Sequence, residues 1–198
     1  MHFTTIASAL LVSGAATLTA ALPTEAPAST NTLTRRTCKI QYPTHLFQIL
    51  EDDPYHNTGD HAYVYTAQGA PDGGPSRHRW YTELQFAGVP PTATGCAVEF
   101  FFRENYSGLS ASGNNKLNFY SVDRDVALSD TWVNRPKEVS LVGTQAVALV
   151  PGKETKLTAV TGSCHEVMSY LIEVEGERAG NVGWFQGEGD GLRLVYDC

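Results

Sequence analysis

Three groups of acidic residues are the first candidates for chemistry in this sequence. They are the run Glu51-Asp52-Asp53, the pair Asp123 and Asp125, and the pair Glu188 and Asp190. Hydrolysis of a glycoside requires two carboxyl groups that face each other across a cleft, about 5–10 Å apart, one of them with a raised pKa. The acids lie between the regular segments and form no evident facing pair. The sequence therefore favours solvated turn residues, and we assign no catalytic residue.

The same acids raise the question of a metal site. Asp123, Asp125 and the turn GEGDG at 187–191 could offer oxygens to Ca²⁺, which takes about six to eight ligands from flexible loops. Neither segment forms a complete calcium loop, and the five histidines after residue 36 have no metal-ligand spacing. No lysine or helical pattern follows GEGDG, as a phosphate loop would require. The sequence predicts neither a metal site nor a cofactor.

Aromatic residues are the richer source of binding candidates. In DHAYVYTA at 60–67, Tyr63 and Tyr65 alternate with small residues such as Val64. If the small residues face the core, the tyrosines form an exposed row, whereas in the opposite register they are core. In the next segment Tyr81 points away from the face of Trp80. Exposed planar rings on a strand suit contact with sugar rings, so Tyr63, Tyr65 and Tyr81 are the predicted binding residues.

The stretch SDTWVNRPKE at 129–138 places a tryptophan in polar surroundings. Trp132 is either a platform for a sugar ring or a wedge that packs a loop onto the core. The wedge is favoured because a buried aromatic ring contributes a large apolar area and an asparagine replaces missing backbone partners in an irregular loop. We predict a structural loop lock made of Trp132, Asn134 and Pro136.

Most of the chain after residue 36 alternates between apolar and polar residues, which is typical of strands with one buried face. The alternation is clearest in RWYTELQF (79–86), CAVEFFFR (96–103), KLNFYSV (116–122), MSYLIEV (168–174) and GLRLVYDC (191–198). The first of these segments puts Trp80 on the core side with Leu84 and Phe86. Turns rich in Gly and Pro separate the segments. The pattern predicts an all-β fold, an antiparallel β-sandwich of the jelly-roll or Greek-key type.

The first 36 residues predict export and processing. Residues 1–21 are largely apolar, contain no acid and end in Thr19-Ala20-Ala21, which is typical of a secretory signal peptide. Residues 22–36 are rich in Pro, Ser, Thr and Ala and end in Arg35-Arg36, as expected of a disordered propeptide or linker that a secretory protease cuts. We expect a secreted protein without a membrane anchor, with a single β-sandwich domain at 37–198.

The charge of the processed chain excludes some partners. The full sequence has 14 basic and 21 acidic residues, and removal of residues 1–36 takes away two arginines and one glutamate, which leaves a net charge of −8. Binding to nucleic acid through counterion release needs the opposite sign. Nucleic acid and anionic membrane surfaces are therefore not expected partners.

The four cysteines, Cys38, Cys96, Cys164 and Cys198, are widely spaced. An even number in a secreted chain indicates two disulfides, for which three connectivities are possible. We prefer Cys38–Cys198 with Cys96–Cys164, because the first bond would tie the ends of the processed chain. The single N-x-S/T sequon, Asn105-Tyr106-Ser107, lies where a loop begins after a strand. A surface N-glycan is expected on Asn105.

Several stretches resemble a known fungal family. YPTHLFQILEDDP, LQFAGVPPTATGCAVEFFF and VGWFQGEGDGLRLVYDC, in this order, are similar to the C-terminal domain of a ubiquitin-3-binding protein of the But-two type. The resemblance runs from about Tyr42 to Cys198 and implies a secreted fungal β-sandwich without catalytic residues. The family is named after an intracellular protein that binds a ubiquitin-like-activating enzyme subunit. A secreted chain with disulfides is not expected to meet that enzyme.

LNFYSV followed by TWVNRP is similar to a signature of the DNRLRE family of secreted sandwiches, some of which bind acidic polysaccharides. The resemblance implies a loop lock at Trp132. The favoured function is a non-catalytic extracellular or cell-wall-associated domain that binds a cell-wall polysaccharide or an extracellular protein. The alternatives are a carbohydrate-active hydrolase or lyase and a host-directed effector that binds a protein.

Overall fold

The computed structural model of the protein describes residues 37–69 and 77–198. The predicted signal peptide, propeptide and cleavage site at Arg35-Arg36 lie outside these residues. The described part forms strands and no helix, and so contains no helix that could span a membrane. The strands are β1 (Lys39–Gln41), β2 (His45–Leu50), β3 (Tyr63–Gln68), β4 (Trp80–Ala87), β5 (Cys96–Phe102), β6 (Ser110–Gly113), β7 (Lys116–Val122), β8 (Glu138–Ala146), β9 (Thr155–Gly162), β10 (Val167–Val174), β11 (Gly180–Phe185) and β12 (Gly191–Tyr196).

These strands form two antiparallel sheets. The smaller sheet has the order β1-β12-β5-β9, and the larger sheet has the order β6-β11-β3-β4-β10-β7-β8. Strand β2 pairs with β4 outside this path. The chain crosses repeatedly between the sheets, for example from β4 to β5 and from β8 to β9. The predicted antiparallel β-sandwich is confirmed.

The main core takes its side chains from both sheets, on the faces that the alternation predicts. Leu84 and Phe86 of β4 and Phe100 of β5 have no exposure to solvent. Trp80 differs from the prediction, because its side chain is half-buried and its ring meets Tyr65 edge-on at a centroid distance of 5.4 Å. Trp80 begins its strand and forms the single ladder pair between β4 and β3, so neighbouring strands do not fully cover it.

Two disulfides close the fold. Cys38 is joined to Cys198, which ties the chain before β1 to the end that follows β12. Cys96, the first residue of β5, is joined to Cys164 beyond β9. These are the preferred pairs of the sequence analysis. Each bond constrains the unfolded chain and so favours the folded one.

A second, smaller apolar cluster lies apart from the main core. Its members are Phe47, Ile49, Tyr81, Val126 and Leu171, with Val122 and Trp132 packed against them. The residues from β2, β4 and β10 lie on the face of the larger sheet that points away from the main core. The segment 123–137, here called the covering loop, supplies Val126 and Trp132. It buries that part of the outer face.

Candidate functional site

Four neighbouring aromatic rings lie together where β3, β4 and β11 meet: Tyr63, Tyr65 and Phe185 on the outer face of the larger sheet, and Trp80 at the start of β4. We call Tyr63, Tyr65, Trp80 and Phe185 the aromatic ledge. Tyr63 and Tyr65 are half-buried and point outward, because Val64 between them is fully buried in the core. Phe185 pairs with Tyr63 in the ladder between β11 and β3 and is 55% exposed. The structure therefore adopts the register in which the tyrosines form an outward row.

Neighbouring rings of the ledge are in contact. The centroids of Phe185 and Tyr63 are 4.9 Å apart, and those of Tyr63 and Tyr65 are 6.4 Å apart. The planes of the two tyrosines differ by only 18°, so they offer nearly parallel faces. Trp80 completes the run with its edge-on contact to Tyr65. Offset and edge-on contacts of this kind are the favourable arrangements for aromatic pairs.

A glycine allows the two tyrosine rings to pack closely against the backbone of the sheet. Gly183 of β11 pairs with Tyr65, and a Cβ atom at this position would collide with the hydroxyl group of Tyr63 and lie 3.1 Å from Cδ2 of Tyr65. The missing side chain lets the tyrosine rings approach the backbone closely. One side of the rings is therefore packed against the sheet, which accounts for their half-buried state.

A groove of about 480 Å³ adjoins the ledge. Tyr65 and Trp80 supply its aromatic wall, while His78, Ser112 and Asn181 supply polar groups. His78 adopts a positive φ of 52°, and its Nδ1 lies 2.7 Å from a carboxylate oxygen of Asp52. The ledge and its groove thus combine flat apolar faces with hydrogen-bonding groups, as sites for small polar ligands do.

The sequence profile of one family, described as the ubiquitin 3 binding protein But2 C-terminal domain, matches residues 41–189. The chain belongs to this family. The match covers all strands of the larger sheet, strands β5 and β9 of the smaller sheet and every residue of the aromatic ledge. No curated protein matches the chain significantly.

In this But2 domain Trp132 lies on the covering loop with its ring against Tyr81, at a centroid distance of 4.8 Å. The guanidinium groups of Arg79 and Arg135 lie 4.9 and 4.2 Å from the centre of the indole ring. Such cation–π contacts are favourable when the charge is partly desolvated. The ring is half-buried, and its surroundings belong to the protein itself.

The other two residues of the predicted loop lock have separate roles in the covering loop. Asn134 Oδ1 accepts hydrogen bonds from the backbone N–H and the hydroxyl group of Thr131, at 2.6 and 2.9 Å. Its Nδ2 donates to the carbonyl oxygen of Ser129. Pro136 is buried at the end of the covering loop, two residues before β8 begins. These are the backbone substitutes that an irregular loop requires.

Tyr81 is not part of the ledge. It points away from the main core, as predicted, but it is only 4% exposed because Trp132 and Arg79 cover it. Burial raises the pKa of its hydroxyl group well above the usual range. The prediction of an exposed Tyr81 ring is therefore wrong. Alternation along β4 gives the side on which Tyr81 lies, but it does not reveal that a loop distant in sequence folds over that side.

Three of the acids that the sequence singles out, one from each group, serve as structural partners. Glu51 accepts two hydrogen bonds from the guanidinium group of Arg79, which holds the pKa of Glu51 at about 2. Asp190 forms an ion pair with Arg103 and accepts a hydrogen bond from its backbone N–H. Asp123 accepts a hydrogen bond from the backbone N–H of Lys137. These three acids thus position loops and strands.

The sequence analysis missed a buried acid beneath the covering loop. Glu83 of β4 has no exposure to solvent, and its carboxyl oxygens form no hydrogen bond of ordinary geometry with the described residues. Burial and the nearby Asp130 raise the pKa of Glu83 to about 9, although Arg124 and Arg135 oppose the shift. Asp130 itself accepts hydrogen bonds from Arg124 at 2.8 and 2.9 Å. No local signal in the sequence marks Glu83, because the alternation along β4 assigns its position to a solvated face.

Phe185 is a ledge residue that the sequence analysis did not consider, in addition to Trp80, which it assigned to the core. The signal was present in VGWFQG at 182–187, where burial of Val182 and Trp184 leaves Phe185 on the outer side.

Asn105 is exposed in the turn after β5, so its side chain is accessible. Across residues 37–69 and 77–198, no three His, Cys, Asp or Glu side chains are grouped to hold a metal ion.

Proposed function

We propose that this But2 domain is a secreted, non-catalytic binding domain that contacts a neutral glycan through the aromatic ledge. The observation that carries the proposal is the run from Phe185 through Tyr63 and Tyr65 to Trp80, with centroid spacings of 4.9 to 6.4 Å. The nearly parallel rings of Tyr63 and Tyr65 offer a rigid apolar surface to the flat faces of sugar units, and Phe185 and Trp80 extend it at either end. Little conformational entropy is lost on binding, because packing already orders the rings.

The charge of the chain favours a neutral glycan over an acidic one. The formal net charge of the full sequence is −7, and it becomes −8 without residues 1–36. A polyanionic polysaccharide would be repelled over the range of electrostatic screening. The groove beside the ledge supplies the hydroxyl group of Ser112 and the amide of Asn181, which suit uncharged sugar hydroxyl groups.

Secretion is part of the proposal and has its own support. Two disulfides join all four cysteines, and such bonds persist in oxidising compartments. Residues 1–21 have the composition of a signal peptide, and Arg35-Arg36 offers a processing site. Expression of the full chain in a fungal host is expected to yield protein in the medium that begins at Thr37. N-terminal sequencing that begins near Leu22 would contradict processing at the dibasic pair.

The family description names a protein that binds ubiquitin 3, so a ubiquitin-like protein is the competing partner. The ledge is small and its tyrosines are half-buried, whereas stable protein interfaces bury about 800 Å² on each partner. This difference favours a glycan at the ledge. Ubiquitin is therefore included as an alternative in the binding test.

The test measures retention of the secreted protein on insoluble β-glucan, chitin and cellulose, and titrates it with ubiquitin. Tyr63→Ala and Tyr65→Ala are each expected to weaken retention by about tenfold or more, as truncation of an aromatic anchor does. Tyr55→Ala is the matched control, because Tyr55 is 73% exposed and lies outside the ledge. Loss of retention in all three variants, or binding of ubiquitin with no retention on any polymer, would refute the glycan proposal.

A further inference from the structure

A second cavity, of about 490 Å³, opens at the ends of β7, β9 and β10. We call it the terminal cleft. Its lining includes no residue of the aromatic ledge. The buried part is mostly apolar and contains Val160, Met168 and Tyr170. The exposed rim is polar and includes Asp123, Asp125 and residues such as Ser163 and His165. Its size and its combination of apolar floor and polar rim are typical of small-molecule sites.

Tyr170 gives the floor a hydrogen-bonding group that lacks a protein partner. The residue is 6% exposed, and burial raises the pKa of its hydroxyl group to about 12. No described residue forms a hydrogen bond with this hydroxyl group, although Tyr170 as a whole is 6% exposed and lines the cleft. Its hydroxyl group is therefore free to bond to a molecule in the cleft. A bound molecule that reaches the floor with a hydrogen-bonding oxygen would satisfy it.

The rim of the terminal cleft carries an excess of negative charge. Arg124 also lies there, but its guanidinium group is held by both carboxylate oxygens of Asp130 at 2.8 and 2.9 Å. Asp123 Oδ1 accepts from the backbone N–H of Lys137, and Asp125 Oδ1 accepts from the hydroxyl group of Ser169. The second oxygen of each aspartate makes no hydrogen bond with the described residues. Two carboxylates therefore remain available to a cationic group.

We propose that the terminal cleft binds a compact organic cation of the amino alcohol class. Its ammonium group would lie between Asp123 and Asp125, its apolar body against Val160 and Met168, and its hydroxyl group against Tyr170. An ammonium group supplies three donors, which matches acceptor-only carboxylates. A metal ion would need more ligands than this rim offers, since no three His, Cys, Asp or Glu side chains are grouped anywhere in the described part of the chain.

Titration calorimetry with aminohexanol tests the proposal on the secreted protein at pH 7. Saturable binding is expected for aminohexanol, weaker binding for hexanediol and none for hydroxyhexanoate, because only the first combines the cation with the terminal hydroxyl group. Tyr170→Phe is expected to weaken aminohexanol binding about two- to tenfold, the range for one neutral hydrogen bond. The melting temperature should not fall, since this hydroxyl group has no partner to lose.

Asp123→Asn and Asp125→Asn each keep an acceptor oxygen and remove one charge, and each is expected to weaken aminohexanol binding about threefold or more. Glu154→Gln removes one charge from an exposed turn outside the cleft and is expected to bind as the parent does. Tyr63→Ala should also leave aminohexanol binding unchanged, so the proposal for this cleft and the glycan proposal for the ledge are tested independently. The proposal is overturned if aminohexanol does not saturate, if hydroxyhexanoate binds equally, or if the aspartate variants match Glu154→Gln. If Asp125→Asn does not fold, Asp123→Asn and Tyr170→Phe decide the result.

Discussion

The carboxyl group of Glu83 faces that of Asp130 beneath the covering loop, and Glu83 has no exposure to solvent. Burial and the Asp130 carboxylate raise the pKa of Glu83 to about 9. Glu83 is therefore protonated at neutral pH. The ion pair between Asp130 and Arg124, at 2.8 Å, joins two residues of the covering loop. Gln85 of β4 donates a hydrogen bond to the carbonyl oxygen of Val126 at 2.9 Å and so connects this loop to the sheet.

Glu83→Gln should change the pH dependence of stability. Glu83 titrates near its ordinary pKa of 4.5 in the unfolded chain and near 9 in the folded chain, so folding takes up a proton between these values. The free energy of unfolding of the parent therefore falls as the pH rises through this window. Glutamine keeps the shape and does not titrate. The difference in the free energy of unfolding, variant minus parent, should therefore rise by on the order of 3 kcal/mol between pH 4.5 and pH 7.

Urea unfolding of parent and variant at pH 4.5, 7 and 9 measures this difference. Glu154→Gln, at an exposed turn, is the control and should follow the parent at every pH. A stability difference between parent and Glu83→Gln that does not change with pH would contradict the raised pKa of Glu83.

Trp132→Ala should destabilise the domain. The substitution removes the ring that covers Tyr81 and that contacts the guanidinium groups of Arg79 and Arg135. We expect the free energy of unfolding to fall by about 3 kcal/mol, with retention on polysaccharide unchanged. Val133→Ala is the control, because Val133 is the neighbouring residue and is 57% exposed. If Trp132→Ala melts as the parent does but no longer holds a polysaccharide, the ring is a sugar platform and the loop lock must be abandoned.

The strand faces could be predicted from the sequence because alternation is a local property. Tyr63 and Tyr65 lie outward as one register requires, and Leu84 and Phe86 lie in the core. What covers an outward face is not local. Tyr81 and Glu83 belong to a strand face that would be solvated in isolation, and they are buried because residues some 50 positions later fold over them. The ledge could be predicted only in part. Alternation places Tyr63 and Tyr65 outward, but the contacts among β3, β4 and β11 depend on sheet order, which is not a local property.

The two disulfides should contribute unequally to stability. Cys38–Cys198 closes a separation of 160 residues and Cys96–Cys164 one of 68 residues. Loss of loop entropy in the unfolded chain gives about 5 kcal/mol for the longer loop and about 4 kcal/mol for the shorter. Denaturant unfolding of the Cys38→Ser/Cys198→Ser and Cys96→Ser/Cys164→Ser variants measures both. Peptide mapping without reduction checks the pairing, and a peptide that links Cys96 to Cys198 would contradict it.

Asn105 should carry an N-glycan in protein secreted by a fungal host. Its side chain is exposed, while the next residue, Tyr106, is anchored by its hydroxyl group, which accepts a hydrogen bond from the backbone N–H of Phe185 at 2.7 Å. The sequon is thus presented on a fixed turn. Treatment with a glycosidase should lower the mass of the parent and leave that of Asn105→Gln unchanged. A parent whose mass does not change would count against the glycan.

Gly183→Ala tests whether the ledge needs the alignment of its rings as well as their presence. A Cβ atom at this position would collide with the hydroxyl group of Tyr63 and lie 3.0 Å from Cζ of the same ring. The end of a tyrosine side chain can move at small cost, so the ring should lift from the sheet with a loss of stability of no more than about 1 kcal/mol. All four ledge rings remain in the variant, but the faces of Tyr63 and Tyr65 no longer align. We expect polysaccharide retention to weaken about as much as in Tyr63→Ala. Gly162→Ala is the control, because nothing lies within 4 Å of a Cβ atom there. Full retention by Gly183→Ala would mean that the aligned ring faces are not what holds the polysaccharide.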